Sequence, residues 1–191
     1  MTTATEGCSE WAIGLAEKLL ASDVPRRWTH VQGAVRRACS VSVLTEQDAD
    51  LLVAAVALHD IGFSHRLGLE PSGFPLYDAV RYLESIGAPR RLIGLVANHA
   101  NAHVEGDLRG LGEQIARYED EKSLVRDALW YSCLTAGPDG QPMDFDARVE
   151  EWLDRYAADP VMGTFTEMSL PELRAAIDRV EEAKAAGVAG A

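Results

Sequence analysis

Cysteine, positive charge and long apolar runs are all scarce in this sequence. The three cysteines, Cys8, Cys39 and Cys133, are an odd number without C-x-x-C spacing, and a chain of 191 residues needs no disulfides to fold. The longest apolar stretch, Leu51 to Leu58, is too short to span a bilayer, and Met1 to Glu10 lacks the basic start and apolar run of a signal peptide. We therefore expect reduced thiols, no membrane association, no export and a cytoplasmic location.

Acidic residues clearly outnumber basic ones. Thirty Asp and Glu residues against eighteen Lys and Arg residues give a net charge of −12. Such a chain repels duplex nucleic acid and anionic membrane surfaces at long range, so neither is an expected partner, although a local basic pocket could still hold a small anion. The hydrophobic fraction of 47% and the charged fraction of 25% are those of an average globular domain, which excludes a disordered or fibrous protein.

Apolar residues recur at intervals of three and four, and no segment shows the Val, Ile and Thr alternation of a strand. Pro25 suits the first turn of a helix, and Thr45 to Asp48 has the arrangement of a capping box. We expect an all-α fold, a single bundle of seven to nine helices in one domain over residues 1–191, with its core at about 25–157. Helices are predicted at about Pro25 to Val43, Thr45 to Gly62, Leu76 to Ile86, Pro89 to His103, Leu108 to Tyr118, Ser123 to Ala136, Asp144 to Ala157 and Leu170 to Ala185. Residues 186–191 are expected to be disordered.

A histidine and an aspartate lie side by side at the end of the most apolar helix. His59 shares a helical face with Leu52 and Ala55 and so points inward, next to Asp60. The pair either forms part of a metal site or is satisfied by local hydrogen bonds in the core. His30 on the preceding helix, with the small Gly33 and Ala34 on its face, could supply a second imidazole, which favours a metal.

His99 and His103 form another pair, at i and i+4. That spacing can bind a metal directly, and it also fits two unrelated histidines on a partly exposed helix.

Further segments with unusual composition follow in a definite order. They are Pro25 to Gly33, Leu58 to Gly62, Ser72 to Phe74 with Asp78 and Arg81 to Leu83, Leu95 to His99, and Gly137 to Gly140. As an ordered series, they resemble the HD-domain superfamily, most closely its small bacterial HDIG-type members, over about residues 25–156. The resemblance implies an all-helical fold around a metal site whose ligands are a His, a His-Asp doublet and a later Asp.

The match to that ligand set is incomplete. His30, His59 and Asp60 match the first three ligands, but alignment on the Gly137 to Gly140 turn places Cys133 where the family has its last aspartate. Pro75 and Asn98 replace histidines that relatives often carry, so a dinuclear centre is not expected. We expect one divalent metal, with zinc favoured by the thiolate over iron or manganese. The alternative is that the site has lost its metal and Cys133 is a buried hydrophobic residue.

Most characterised members of the resembled family are phosphohydrolases, so the resemblance implies hydrolysis of a small phosphate ester or nucleotide. Asp60 is expected to ligate the metal and orient water, and His99 or His65 to act as general acid. The candidates for binding the anionic substrate are Arg66, Arg27 and Arg81. The alternative is a degenerate or repurposed domain, either a non-hydrolytic enzyme such as a lyase or hydratase, or a metal-free module that binds a ligand or partner. Homodimerisation is left open.

Overall fold

The protein is known from a computed structural model that describes residues 7–189, with side chains through residue 187, and this part of the chain is all-helical. Within it lie ten α-helices, nine of them longer than a single turn, which confirms the expected all-α bundle. They are α1 (Cys8–Leu20), α2 (Pro25–Val41), α3 (Ala49–Leu58), α4 (Pro75–Ser85), α5 (Arg90–Ala97), α6 (Ala102–Leu108), α7 (Gly112–Ile115), α8 (Leu124–Leu134), α9 (Phe145–Arg155) and α10 (Pro160–Ala189). Across residues 7–189, none of these helices has the length and apolarity needed to cross a lipid bilayer.

Helix α3 is the centre of the core. All eight residues from Leu51 to Leu58 are buried, and the helix packs against α1, α2, α5 and α8. A helix that is apolar on every face is stable in water only when other helices surround it. Helix α3 is still buried at its last residue, Leu58. The following His59 and Asp60 therefore lie inside the protein rather than at its surface.

Helix α2 lies against the turn that follows α8. A Cβ atom built on Gly33 would lie 2.4 Å from the Cα atom of Gly140, so the two backbones touch at a point where no side chain fits. We expected the small residues beside His30 to admit another helix, and the structure places the Gly137 to Gly140 turn against Gly33 instead. This close approach brings the carbonyl of Gly137 to the ring of His30.

The helix expected over residues 89–103 is broken in two. Helix α5 ends at Ala97, and Ala100 and Asn101 both adopt left-handed backbone angles, with φ of 49° and 63°. The cause is a tertiary contact, because the side-chain amide of Asn98 donates to the carbonyls of Gly94, Tyr118 and Glu119 and holds the chain in a turn. Asn98 therefore stabilises the fold.

The capping box predicted at Thr45 is wrong. Residues Ser42–Asp48 form a 3-10 helix in which the Thr45 hydroxyl donates to the carbonyl of Ser42, and Glu46 has a φ of 47°. Helix α3 begins after this kink, at Ala49. The helix expected at 108–118 is likewise reduced to α7, because Gly110 takes a φ of 74° and separates it from α6.

The two ends of the chain are more helical than expected. Helix α1 was not predicted, although Ala12, Ala16 and Leu19 form a buried apolar stripe, and Asp50 accepts hydrogen bonds from its first amides. Helix α10 begins ten residues before the predicted start and continues through 186–189, where we expected disorder. Residues 190 and 191, the rest of that segment, lie outside the described residues.

The contact between Gly33 and Gly140 generates a test of stability. Gly33→Ala is expected to lower the free energy of unfolding by roughly 1–3 kcal/mol, because the added methyl meets backbone that cannot rotate away. Gly14→Ala in α1 is the matched control: a Cβ there meets nothing within 4 Å, so the better helix former should raise stability by about 1 kcal/mol. Urea unfolding followed by circular dichroism measures both, and equal stability of the two variants would contradict the packing described.

Candidate metal centre

Two histidines present the same ring nitrogen to one interior site. The Nδ1 atom of His30 lies 3.0 Å from the carbonyl oxygen of Gly137, and the Nδ1 atom of His59 lies 2.6 Å from that of Val56. A carbonyl oxygen only accepts hydrogen bonds, so each Nδ1 carries a proton and donates it. When the rings are neutral, the lone pair of each is therefore on Nε2. Metal-binding histidines in proteins are commonly fixed through this kind of Nδ1–H donation to the backbone.

Both Nε2 atoms point to the carboxylate of Asp60. The distance to its Oδ2 atom is 3.3 Å from His59 and 4.0 Å from His30, and all three side chains are buried. One potential ligand atom from each residue lies within 4.8 Å of the other two. For comparison, ligand atoms of a tetrahedral zinc ion lie roughly 3.3–3.8 Å apart, given bond lengths of about 2.0–2.3 Å. The three residues thus form a compact donor group.

The charges in this group depend strongly on one another. Burial opposes ionisation of Asp60, but the adjacent Arg27 and His59 hold the pKa of this carboxyl well below its ordinary value. Burial likewise opposes a charged His59, but the Asp60 carboxylate raises the pKa of His59 well above its ordinary value. His30 gains less from Asp60, and burial lowers its pKa to about 3. The site therefore contains a stable carboxylate and one imidazole, His30, that stays neutral.

Cys133 and His99 extend the donor group on the other side of His59. Cys133 is buried in α8, and ligand atoms of His59, His99 and Cys133 also lie within 4.8 Å of one another. The centroids of the His59 and His99 rings are 4.7 Å apart. The Nε2 atom of His99 is buried and meets no hydrogen-bond partner in the part of the chain that the structure describes. Ala100, the next residue along the chain, has the left-handed backbone angles of the break after α5.

The donors line one end of a cavity of about 310 Å³. Helices α9 and α10 and the loop before α4 form much of the remaining wall. This wall combines apolar and aromatic side chains, among them Phe74, Leu76, Trp152, Met162 and Phe165, with the guanidinium groups of Arg109 and Arg148. A small organic molecule could therefore lie between the donor group and an apolar surface.

Arg27 reaches the cavity, but its guanidinium group is already engaged. It donates to Asp60 Oδ2 at 3.0 Å and to the hydroxyl of Tyr156 at 3.2 Å, and it stacks on the Phe63 ring at 3.8 Å from the centroid. We expected Arg27 to bind substrate. These contacts make it a residue that holds the Asp60 carboxylate in position.

The structure does not bring His65, Arg66 or Arg81 to the cavity. His65 is 83% exposed, and its backbone amide and ring both contact the Asp23 carboxylate, while Arg66 is exposed beside it. Arg81 donates to the carbonyl of Glu70 and to Asp78 and so braces the loop. The loop after Phe63 turns toward the α1–α2 junction because Ser64 donates to the carbonyl of Leu19 and to Asp23. Of the expected site residues, His30, His59, Asp60, Cys133, His99 and Arg27 do line the cavity.

Arg148 and Arg109 line the cavity and were not expected from the sequence. A signal for Arg148 is present in α9: Phe145, Arg148, Val149 and Trp152 follow i, i+3, i+4 and i+7 spacing, so an arginine interrupts an otherwise apolar stripe. A charged residue on the buried face of a helix needs an explanation, and lining a cavity is one. No comparable pattern marks Arg109.

Comparison of the chain with protein-family models, with curated proteins and with solved structures gives no match. The resemblance to the HD-domain superfamily therefore depends on the ordered motifs alone. The metal-binding roles of His30, His59, Asp60 and Cys133 stay predictions, supported by the way the fold brings these residues together.

The left-handed backbone at Ala100, next to His99, can be tested by measuring the stability of glycine variants. An alanine with positive φ costs roughly 1–2 kcal/mol, a cost that glycine avoids. Ala102, two residues later and also buried, has helical angles, where glycine costs about 1 kcal/mol relative to alanine. We therefore expect the Ala100→Gly variant to be more stable than the Ala102→Gly variant, with a free energy of unfolding that is higher by about 1 kcal/mol or more. Thermal unfolding of the two variants measures this difference, and an equal loss in both would contradict the left-handed turn.

Proposed function

We propose that the protein is a metal-dependent hydrolase of the HD type that binds one divalent cation and cleaves a small phosphate ester or nucleotide. The observation that carries this proposal is the pair of buried histidines, each donating Nδ1–H to a backbone carbonyl and directing Nε2 to the Asp60 carboxylate. Together they bring two ring nitrogens and one carboxylate oxygen to a single interior point, which is the donor arrangement that a metal site needs.

The residues around the cavity fit such an ion. His30, His59 and Asp60 would hold it. Cys133, whose sulfur lies near the ring nitrogens of His59 and His99, would offer a thiolate on the His59 side, and a site with a thiolate suits zinc better than the harder magnesium ion. The unpartnered Nε2 atom of His99 supports the same conclusion, because a buried ring nitrogen without a hydrogen bond is unfavourable unless a ligand satisfies it. When bound, the ion would supply positive charge that favours ionisation of water and stabilises the charge developing on a phosphoryl oxygen.

The protein's own groups would fix the geometry of the reaction. Arg27 keeps the Asp60 carboxylate oriented, and Phe63 and Tyr156 keep Arg27 in place. The ring of His99 lies beside that of His59, and its buried Nε2 atom could accept a hydrogen bond from a water molecule at the site. The apolar wall would keep bulk water from the reacting atoms and strengthen these electrostatic contacts.

The cysteines are consistent with action in a reducing compartment. Cys8, Cys39 and Cys133 are all free thiols in the structure. A site that depends on the thiolate of Cys133 would be lost by oxidation, so we propose the cytoplasm as the place of action.

Metal content is the first test of the proposal. Protein purified in metal-free buffers and then reconstituted with zinc is expected to hold one ion per chain, measured by mass spectrometric metal analysis after dialysis. His59→Ala and Asp60→Ala each remove a donor and are expected to abolish stoichiometric binding. His65→Ala is the matched control, because His65 is exposed and lies outside the cavity. A wild-type protein that binds none of zinc, manganese or iron would instead favour the metal-free binding module.

Hydrolysis is the second test. We expect slow release of phosphate from para-nitrophenyl phosphate or a nucleoside monophosphate in the presence of Zn²⁺, with Mn²⁺ and Fe²⁺ as alternatives. Loss of a ligand should lower the rate by about 100-fold or more in His59→Ala and Asp60→Ala, while His65→Ala keeps the wild-type rate. Activity that survives both ligand substitutions would come from a contaminant. Metal binding without hydrolysis of any ester would favour the non-hydrolytic alternative.

A further inference from the structure

We infer that Arg148 is the residue that binds the anionic group of the ligand, and that the rest of this ligand is an apolar, ring-sized organic group. The inference deepens the proposed function, because it assigns the ester a class: a small phosphate monoester of an aromatic or otherwise apolar alcohol. It depends on the wall of the cavity opposite the donor group.

Arg148 is an unusually buried cation. Its side chain is 3% exposed, it lines the cavity from α9, and its Nε atom is buried with no hydrogen-bond partner among residues 7–189. A buried guanidinium normally has its donors satisfied, because an unpaired N–H in the interior costs free energy. An anion in the cavity would satisfy this group.

The charge around Arg148 is incompletely neutralised. Its ion-pair partner is Glu151, and the same carboxylate also pairs with Arg155, so two cations share one anion. Arg109, the other arginine of this wall, pairs with two carboxylates, those of Glu105 and Asp159. Arg148 therefore shares its carboxylate partner, which leaves its guanidinium group able to pair with an anionic group in the cavity.

Arg148 and the donor group line the same cavity, so both can contact one molecule bound there. A phosphoryl group placed between them would meet a fixed cation and the donor group together. This shared lining supports the assignment that the burial of Arg148 and its shared ion-pair partner already favour.

The shape and polarity of the cavity restrict the rest of the ligand. A volume of about 310 Å³ is at the lower end of the range for small-molecule sites, roughly 300–1,000 Å³. Beyond the charged groups, the wall is mainly apolar and includes Phe74, Leu76, Trp152, Met162 and Phe165. Such a surface is well matched to a ring without polar edges, and a nucleobase would lose hydrogen bonds to water on entering it.

Binding of naphthyl phosphate, inorganic phosphate and naphthol, measured by calorimetric titration of the purified protein, tests this inference. Naphthyl phosphate is expected to bind more tightly than either of the other two. Arg148→Met should weaken both phosphate-bearing probes by about 10- to 100-fold, the usual effect of losing a hydrogen bond to a charged group, and leave naphthol unchanged. Unchanged naphthol binding also shows that the variant is folded. Arg148→Lys, which keeps the charge, should recover part of the loss.

Arg174→Met is the matched control. It removes a half-exposed arginine of α10 that pairs with Asp146 and lies outside the cavity lining, so the affinity for naphthyl phosphate should change by less than about threefold. Met162→Ala should weaken naphthyl phosphate and leave inorganic phosphate unchanged. Equal losses in Arg148→Met and Arg174→Met, or equal affinity for naphthyl phosphate and inorganic phosphate, would overturn the inference.

The same titrations after removal of metal by a chelator separate this inference from the proposed function. Naphthyl phosphate binding that still depends on Arg148 supports the ligand assignment even in a protein that neither retains metal nor hydrolyses the ester. The opposite result is a protein that binds metal stoichiometrically and hydrolyses the ester, but whose Arg148→Met variant binds naphthyl phosphate with wild-type affinity. That result would leave the proposed function standing and overturn the ligand assignment.

Discussion

A carboxylate that stays ionised in a protein interior needs nearby positive charge, and here that carboxylate is Asp60. Arg27 supplies the compensation through a 3.0 Å ion pair, and His59 adds to it at 3.3 Å. Arg27 in turn contacts the ring of Phe63 and the hydroxyl of Tyr156, so α2, the segment after α3 and the residue that follows α9 meet around one guanidinium group. The arrangement of these elements is inseparable from the charge state of Asp60.

Close backbone packing brings the partners of Asp60 into range. The apolar run of α3 requires surrounding helices, and this places His59 and Asp60 at the inner end of a buried helix. The contact between Gly33 and Gly140 then brings the turn after α8 onto α2, and the carbonyl of Gly137 fixes the ring of His30. Hydrophobic packing thus supplies the position of the polar groups, and backbone hydrogen bonds supply their orientation.

Local sequence patterns predicted the helical class and the segments that carry His30, His59, Asp60 and Cys133, because periodicity and short motifs depend on neighbouring residues. They failed where distant residues decide the backbone. The break after α5 depends on Asn98 reaching carbonyls twenty and twenty-one residues away, and the helix-capping prediction at Thr45 failed because the chain kinks at Glu46. Arg66 was chosen for its place in a loop, whereas the direction of that loop depends on Asp23, which the motif does not contain.

The donor atoms and much of the cavity wall come from different parts of the chain. All the donors lie between His30 and Cys133, while Arg148, Trp152, Met162 and Phe165 belong to α9 and α10, which follow the last donor in the sequence. Mutation or recombination confined to this second segment could change the shape and charge of the cavity while the donor group is inherited intact. Proteins that share the first segment need not, therefore, bind the same molecule.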